Sequence, residues 1–207
     1  DLDDDDKDKK KEVPPPDYSK VKNKLDLAKV ELIYTLEQLD DEFEFNVVVY
    51  DTKHDYLISG MEKLYKATSS TKKKFIAEIK KLQTAGATNI HGSLVRAFKT
   101  NRGAMTKGDP SLAKEGFDSG AETIFFLTDG AACFCDESTA QDASGMGNGP
   151  FASGEKLFPD IVRINTFRKV VINTVGIGPH DRGLLSALAG SSGGIYKDLS
   201  GNGGEIR

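Results

Sequence analysis

Residues 123–130 of this 207-residue chain read TIFFLTDG, a strand and the turn that follows it. The four apolar residues Ile124 to Leu127 run without polar alternation, which is typical of a strand buried on both faces of a parallel sheet. Asp129 follows the strand directly, so its carboxylate is expected at the carboxyl edge of the sheet, where Gly130 permits a tight turn. Ligands of open α/β sheets bind at this edge.

The other two long apolar runs are residues 45–50 and 170–176, and GIYKDL near residue 196 predicts a short final strand. Apolar residues at helical spacing predict the helices between them. These helices are expected over residues 19–39, 71–83, 91–99, 159–168 and 183–189. Strands that alternate with helices favour a doubly wound, mostly parallel α/β sheet with helices on both faces.

Several helix ends are predicted from capping residues. Asp17 or Ser19 is expected to open the first helix. Pro159 is expected in the first turn of its helix, and Gly190 is expected to close the helix over 183–189.

The chain divides into a charged, proline-rich arm over residues 1–18, a globular domain over 19–200 and a tail over 201–207. Two glycine-rich loops, 100–120 and 131–158, interrupt the domain and exceed the usual connection length. The second loop leaves from Asp129 and also carries apolar residues, so it is expected either to contact a partner or to fold back on its own domain. These apolar residues are Phe134, Met146, Phe151, Leu157 and Phe158.

Composition narrows the function classes. The net charge of −4 provides no basic field for nucleic acid, and no apolar run is long enough to span a membrane. The two cysteines, Cys133 and Cys135, are too few for a disulfide framework, and without a partner ligand they make a poor zinc site.

Two motifs together resemble the von Willebrand factor A-type (VWA) domain. GATNI at 86–90 is similar to the loop that carries the family's threonine, and LTDG at 127–130 is similar to the strand end that carries its aspartate. The segments LDLAKVELIYTLEQL, FNVVVYD and INTVGIGPHDRGLLSALAGSSGGIY also resemble the family in the correct order, so the resemblance covers roughly residues 19–200.

The resemblance implies a metal ion-dependent adhesion site at the carboxyl edge. Thr88 and Asp129 would be its ligands, and Mg²⁺ (or Ca²⁺ or Mn²⁺) the ion, because hard cations take oxygen ligands and keep an open position for a partner's carboxylate. Four further residues are expected at the rim or around these ligands. They are Asp51, Asn89, His91 and Gly130.

The chain departs from the family at one place. Neither the Asp-x-Ser-x-Ser motif nor the apolar strand that precedes the first helix is present. In the family this strand lies in the middle of the sheet, between the strands that correspond to residues 45–50 and 123–128. We therefore expect a vacancy between these strands, filled by a segment outside this numbering or by another chain, and weak or absent metal binding by the chain itself.

The implied function is protein binding by an adhesion-type module, whose partner is another protein or a neighbouring domain. The alternative is a metal-free structural module with a degenerate site, and a hydrolase or phosphatase on the same fold is the third reading. The sequence carries no GxxxxGK[ST] loop, and His54, His91 and His180 form no evident arrangement with a nucleophile. The sequence does not fix the compartment, although adhesion favours an extracytoplasmic or cell-surface location over the cytoplasm.

Overall fold

A computed structural model describes residues 13–201 apart from 85, 104, 113, 131 and 133–153. In chain order the elements are α1 (Lys24–Glu37), β1 (Glu44–Phe45), β2 (Val48–Tyr50), β3 (His54–Tyr56), β4 (Tyr65–Lys66), α2 (Ser69–Lys81), α3 (Ile90–Lys99), α4 (Lys114–Ser119), β5 (Thr123–Thr128), α5 (Gly154–Arg168), β6 (Val171–Gly176), α6 (Arg182–Ser192) and β7 (Tyr196–Asp198).

Strands β5, β6 and β7 form a parallel sheet in that order, as the apolar runs predict. Alternate residues of β5 and β6 are buried under α3, α5 and α6. The other face of this sheet contacts α1 through Leu127 and Val175. Helices therefore cover both faces, and the prediction of a doubly wound α/β fold is confirmed.

The single strand predicted over residues 45–50 is wrong. Asn46 interrupts it, because its side-chain amide donates to the carbonyls of Met61 and Lys63, both at 2.7 Å. The two pieces that result pair separately, β1 with β4 and β2 with β3, both antiparallel. Local hydrogen bonding by one amide side chain thus overrides the continuous β propensity of the segment.

The predicted helices are present with shifted ends. Helix α1 begins five residues later than predicted, because Asn23 and not Asp17 or Ser19 accepts the hydrogen bond of the first turn, from the Asp26 N–H. Pro159 lies inside α5 and not in its first turn. Helix α6 continues past Gly190 to Ser192, and Gly193 closes it in the left-handed conformation at φ 76°.

A vacancy separates β2 from β5. Strand β2 pairs only with β3, and β5 pairs only with β6, among the residues that the structure describes. The Tyr50 hydroxyl donates to the Leu127 carbonyl at 2.8 Å, so a whole tyrosine side chain lies between the two backbones. Adjacent strands are only about 4.8 Å apart, which leaves no room for such a side chain. The arrangement agrees with the predicted vacancy, whose occupant stays a prediction.

Two helices cross this vacancy on opposite sides. The amino half of α1 packs through Leu27 against the β5–β6 part of the molecule, and its carboxyl half packs through Leu36 against the segment of β1 and β2. On the other side α3 contacts β2 and packs with Ile124 and Phe126 of β5. The space between β2 and β5 therefore has two strand edges as walls and a helix on each side, and we call it the strand groove.

The segment 100–120, expected as a long glycine-rich loop, has regular structure of its own. It contains α4 and an antiparallel bridge between Asn101 and Gly120, and the side chains of Asn101, Thr106 and Ser111 are buried. Of loop 131–158, residues 133–153 lie outside the described residues, and so do Cys133 and Cys135. Leu157 and Phe158 belong to α5 and pack in the core of their own domain.

No helix among the described residues has the length and apolar character needed to cross a bilayer.

Candidate functional site

The loop before α3, residues 86–89, is hydrogen-bonded to the residues that follow β2. The Thr52 hydroxyl accepts the Ala87 N–H at 2.9 Å, and the Thr52 carbonyl accepts the Asn89 side-chain amide at 3.1 Å. The Asn89 N–H also donates to the Asp51 carbonyl at 2.8 Å. Residues 86–89 are thereby fixed at the carboxyl edge of the fold.

Gly86 makes this close approach possible. Its φ of 64° is a conformation that residues with a side chain avoid, and a Cβ there would lie 2.6 Å from the Thr52 hydroxyl oxygen. The glycine of the GATNI motif is therefore required by backbone geometry.

Thr88 and Asp129 belong to loops that meet. A Cβ placed on Gly130 would lie 3.6 Å from the Thr88 hydroxyl oxygen, so this hydroxyl lies beside the residue that follows Asp129. Thr88 does not cap α3, because the Asn89 side chain accepts the Gly92 N–H at 2.8 Å. Its hydroxyl is thus not needed for the helix end.

A lysine that the sequence analysis did not select lies beside Asp129. The Lys24 ammonium is 3.7 Å from a carboxylate oxygen of Asp129, with the two side chains 30% and 55% exposed. The aliphatic stem of Lys24 lies against Gly178, where a Cβ would be 2.9 Å from Lys24 Cε. Helix α1 and the turn after β6 therefore join the two loops at this edge.

The other predicted rim residues have different roles. The Asp51 carboxylate accepts the Lys53 N–H at 2.7 Å and so stabilises the turn after β2. His91 is fully buried and is not a rim residue, because the first turn of α3 directs it inward to the Asp160 carboxylate at 2.8 Å. Burial lowers the pKa of His91 despite this carboxylate, so the imidazole is neutral at pH 7.

Tyr50 lies at the carboxyl end of the strand groove. Its ring stacks on Phe126 with the centroids 5.7 Å apart, and its hydroxyl bonds to Leu127. Burial raises the pKa of this hydroxyl well above its usual range, so it stays a donor at all ordinary pH values.

The described residues do not by themselves fit a divalent ion. No three His, Cys, Asp or Glu side chains come together in the part of the chain that the structure describes. Asp129 lies beside the Thr88 loop, and an ammonium faces its carboxylate. Mg²⁺ takes six oxygen ligands in octahedral geometry, so waters or residues outside the described part of the chain would have to supply the others.

A family model described as the von Willebrand factor type A domain matches residues 16–198. This chain belongs to that family. A comparison with curated proteins finds no match.

Two solved structures share the VWA fold with this chain. One is a von Willebrand factor type A protein from Catenulispora acidiphila, with a TM-score of 0.60 and 15% identity over 84% of this chain. The other is the conserved hypothetical protein BatB from Bacteroides thetaiotaomicron, with a TM-score of 0.51 and 11% identity over 84% of this chain. The alignments cover 34% and 79% of those chains, respectively, so this VWA domain corresponds to about a third of the Catenulispora chain.

VWA domains are commonly modules for protein interaction. Membership of the family therefore makes the carboxyl edge, where Thr88 and Asp129 lie, the candidate contact surface of this domain. Sequence reasoning identified these two residues from their motifs. It missed Thr52 and Lys24, because a threonine in a turn and a lysine at a helix start carry no pattern that separates them from ordinary surface residues.

Proposed function

We propose that this VWA domain binds another protein, or a neighbouring domain, through its carboxyl edge. The observation that carries the proposal is the meeting of the Thr88 loop, the Asp129 turn and the start of α1 at one exposed place. Asp129 is an exposed acidic residue held at the end of a rigid strand, which is the usual position of a recognition residue on this kind of sheet.

The strand groove is part of the same proposal. The carbonyls of Glu122 and Thr128 accept hydrogen bonds from the β6 side. Because successive residues of a strand direct their N–H and C=O groups to opposite edges, those of residues 123, 125 and 127 point away from β6. The Leu127 carbonyl accepts the Tyr50 hydroxyl, which a further strand would have to displace. Strand edges without a neighbouring strand accept one through main-chain hydrogen bonds. We propose that one strand from outside the described residues fills the groove and ends at the same carboxyl edge.

Whether partner binding depends on a metal ion is determined, in this proposal, by the loop at the end of the added strand. A loop with Asp-x-Ser-x-Ser at its end would add oxygen ligands to Thr88 and Asp129, and the bound Mg²⁺ would attract a carboxylate of the partner. Without such a loop the domain is a metal-free structural module, the second candidate, which the ammonium beside Asp129 favours.

The test is a comparison of two aspartate variants. Asp129→Ala removes the carboxylate at the carboxyl edge, whereas Asp118→Ala removes an exposed carboxylate from α4, which precedes the other end of β5. Peptides selected for binding to the wild-type protein are expected to bind Asp129→Ala at least about tenfold more weakly, a loss of about 1.4 kcal/mol, and to bind Asp118→Ala normally.

Calorimetry with Mg²⁺ and with a chelator then separates the two candidates. Binding that survives the chelator favours the metal-free module, and binding that needs Mg²⁺ favours the adhesion site. Equal affinity for wild type and Asp129→Ala contradicts the proposal that the carboxyl edge is the contact surface.

A further inference from the structure

Lys24 is held in place from both ends. Asn23 accepts the Asp26 N–H at 2.8 Å and so fixes the start of α1, and the fully buried Leu27 packs with Ile177 and Leu199 one turn later. The backbone of Lys24 is therefore anchored on the core, directly above the turn that follows β6.

The turn after β6 leaves room for the aliphatic part of the Lys24 side chain. Gly178 has a φ of 60° and no side chain, and Lys24 Cε and Cδ would lie 2.9 and 3.4 Å from a Cβ at that position. The stem thus occupies the space that a side chain at 178 would fill. This contact directs the ammonium to Asp129, 3.7 Å away, across the gap between two loops.

We infer that the Lys24 ammonium is the cation that Asp129 holds in this chain, in the place where the family's adhesion site would use a metal. The donor set is the reason. No three His, Cys, Asp or Glu side chains come together among the described residues, so waters would have to supply most of the six oxygen ligands of Mg²⁺, whereas one carboxylate is a complete partner for one ammonium. A divalent ion at Asp129 would also repel an ammonium within 4 Å, so the ion has to displace the lysine before it can bind.

The inference deepens the proposed function, since it assigns charge neutralisation at that surface to a residue of the chain. The partly exposed ammonium of Lys24 is also a group that a carboxylate of a partner can approach, and it requires no metal for this. The described residues of the carboxyl edge can therefore neutralise Asp129 and meet a partner's carboxylate without a metal ion.

Zero-length carbodiimide coupling followed by peptide mass mapping tests the pairing without any partner. The amine of Lys24 and the carboxylate of Asp129 should condense to an amide with loss of one water. The Glu78–Lys81 pair, at 2.7 Å on α2, is the internal control. We expect the Lys24–Asp129 product in the whole chain, in the same yield with millimolar MgCl₂ and with NaCl of matched ionic strength.

Two results overturn the inference. One is the absence of the Lys24–Asp129 product in samples where Glu78 and Lys81 are coupled. The other is a yield that falls severalfold with MgCl₂ but not with NaCl, since the ion then replaces the lysine.

A melting-temperature measurement provides the second readout. Wild-type protein should show no Mg²⁺-specific rise in melting temperature, and Lys24→Met and its exposed control Lys22→Met should both remain folded. A Mg²⁺-specific rise in wild type that Asp129→Ala lacks overturns the inference. Because neither measurement involves a partner, failure here is distinct from failure of the Asp129→Ala binding test.

Discussion

At the scale of single residues, two glycines with similar backbone conformations differ in their surroundings. Gly60 and Gly86 have φ values of 77° and 64°, but a Cβ on Gly60 would meet nothing within 4 Å, whereas one on Gly86 would meet Thr52 at 2.6 Å. A side chain at Gly60 would therefore cause backbone strain alone, whereas one at Gly86 would also collide with Thr52. Gly86 belongs to the loop that positions Thr88.

We expect Gly60→Ala to lower the free energy of unfolding by about 1 kcal/mol, the cost of the left-handed conformation. Gly86→Ala should cost at least about 1 kcal/mol more, because the methyl group also displaces Thr52 and the 86–89 loop. Urea denaturation of both variants measures the difference. Equal decreases in the free energy of unfolding would mean that the 86–89 loop moves at no energetic cost, and that Thr52 does not fix it.

His91 gives the protein a dependence on pH that its sequence does not show. Burial lowers the pKa of His91 in the folded protein from 6.5, so the unfolded chain takes up the proton first. Well above pH 6.5 both states are neutral and this contribution to stability is complete, and it is lost as the pH falls through 6.5 toward the lowered pKa.

We therefore expect the free energy of unfolding to decrease between about pH 7.5 and about pH 5.5, by up to about 1.4 kcal/mol for each unit of pKa difference. His91→Gln should flatten this part of the profile, since glutamine does not titrate. Urea denaturation at several pH values compares the two proteins. A wild-type profile that is flat, or that rises toward low pH, contradicts the direction of the shift.

At the level of the elements, the sequence predicts a strand correctly where the whole apolar run pairs with one neighbouring strand. The runs at 123–128 and 171–176 do so, although only alternate residues are buried and Phe125 is 51% exposed. The segment 45–50 is equally apolar, but the hydrogen bonds from Asn46 to residues 61 and 63 divide it. A contact between residues 15 and 17 positions apart leaves no local signal.

Helix ends and site residues also depend partly on local sequence signals and partly on contacts between distant residues. Asn23 caps α1 although Asp17 and Ser19 precede it, and Asn89 caps α3 although Thr88 precedes it. Several residues with capping side chains stand next to each other, so the sequence does not distinguish among them. The motifs located Thr88 and Asp129, whereas Lys24 approaches Asp129 only because α1 and the turn at Gly178 are assembled side by side.

Strand β5 should show its open edge in amide hydrogen exchange. The N–H groups of residues 123, 125 and 127 face the strand groove, and those of 124, 126 and 128 face β6. We expect the first set to exchange at least about tenfold faster than the second when the chain is alone. Protein NMR resolves the individual amides, and a strand in the groove should make both sets slow. Uniform protection in the isolated chain would contradict the vacancy.

At the scale of the whole molecule, the sheet is divided into a β2–β3 part and a β5–β6–β7 part. Helices α1 and α3, together with Tyr50, connect them. The family model matches residues 16–198, which include both parts of the sheet. The resemblance predicted this arrangement, but the bridging role of Tyr50 could not be predicted, because it depends on a space that no sequence motif describes.

The strand groove makes the stability of the domain depend on the concentration of any segment that binds in it. A segment that binds only the folded chain raises the free energy of unfolding in proportion to the logarithm of its concentration, by about 2.7 kcal/mol at a hundredfold excess over its dissociation constant. A tethered segment would have a fixed effective concentration, whereas a segment on a separate molecule would be subject to dilution. The amount of folded domain in a cell would then record how much of that second molecule is present.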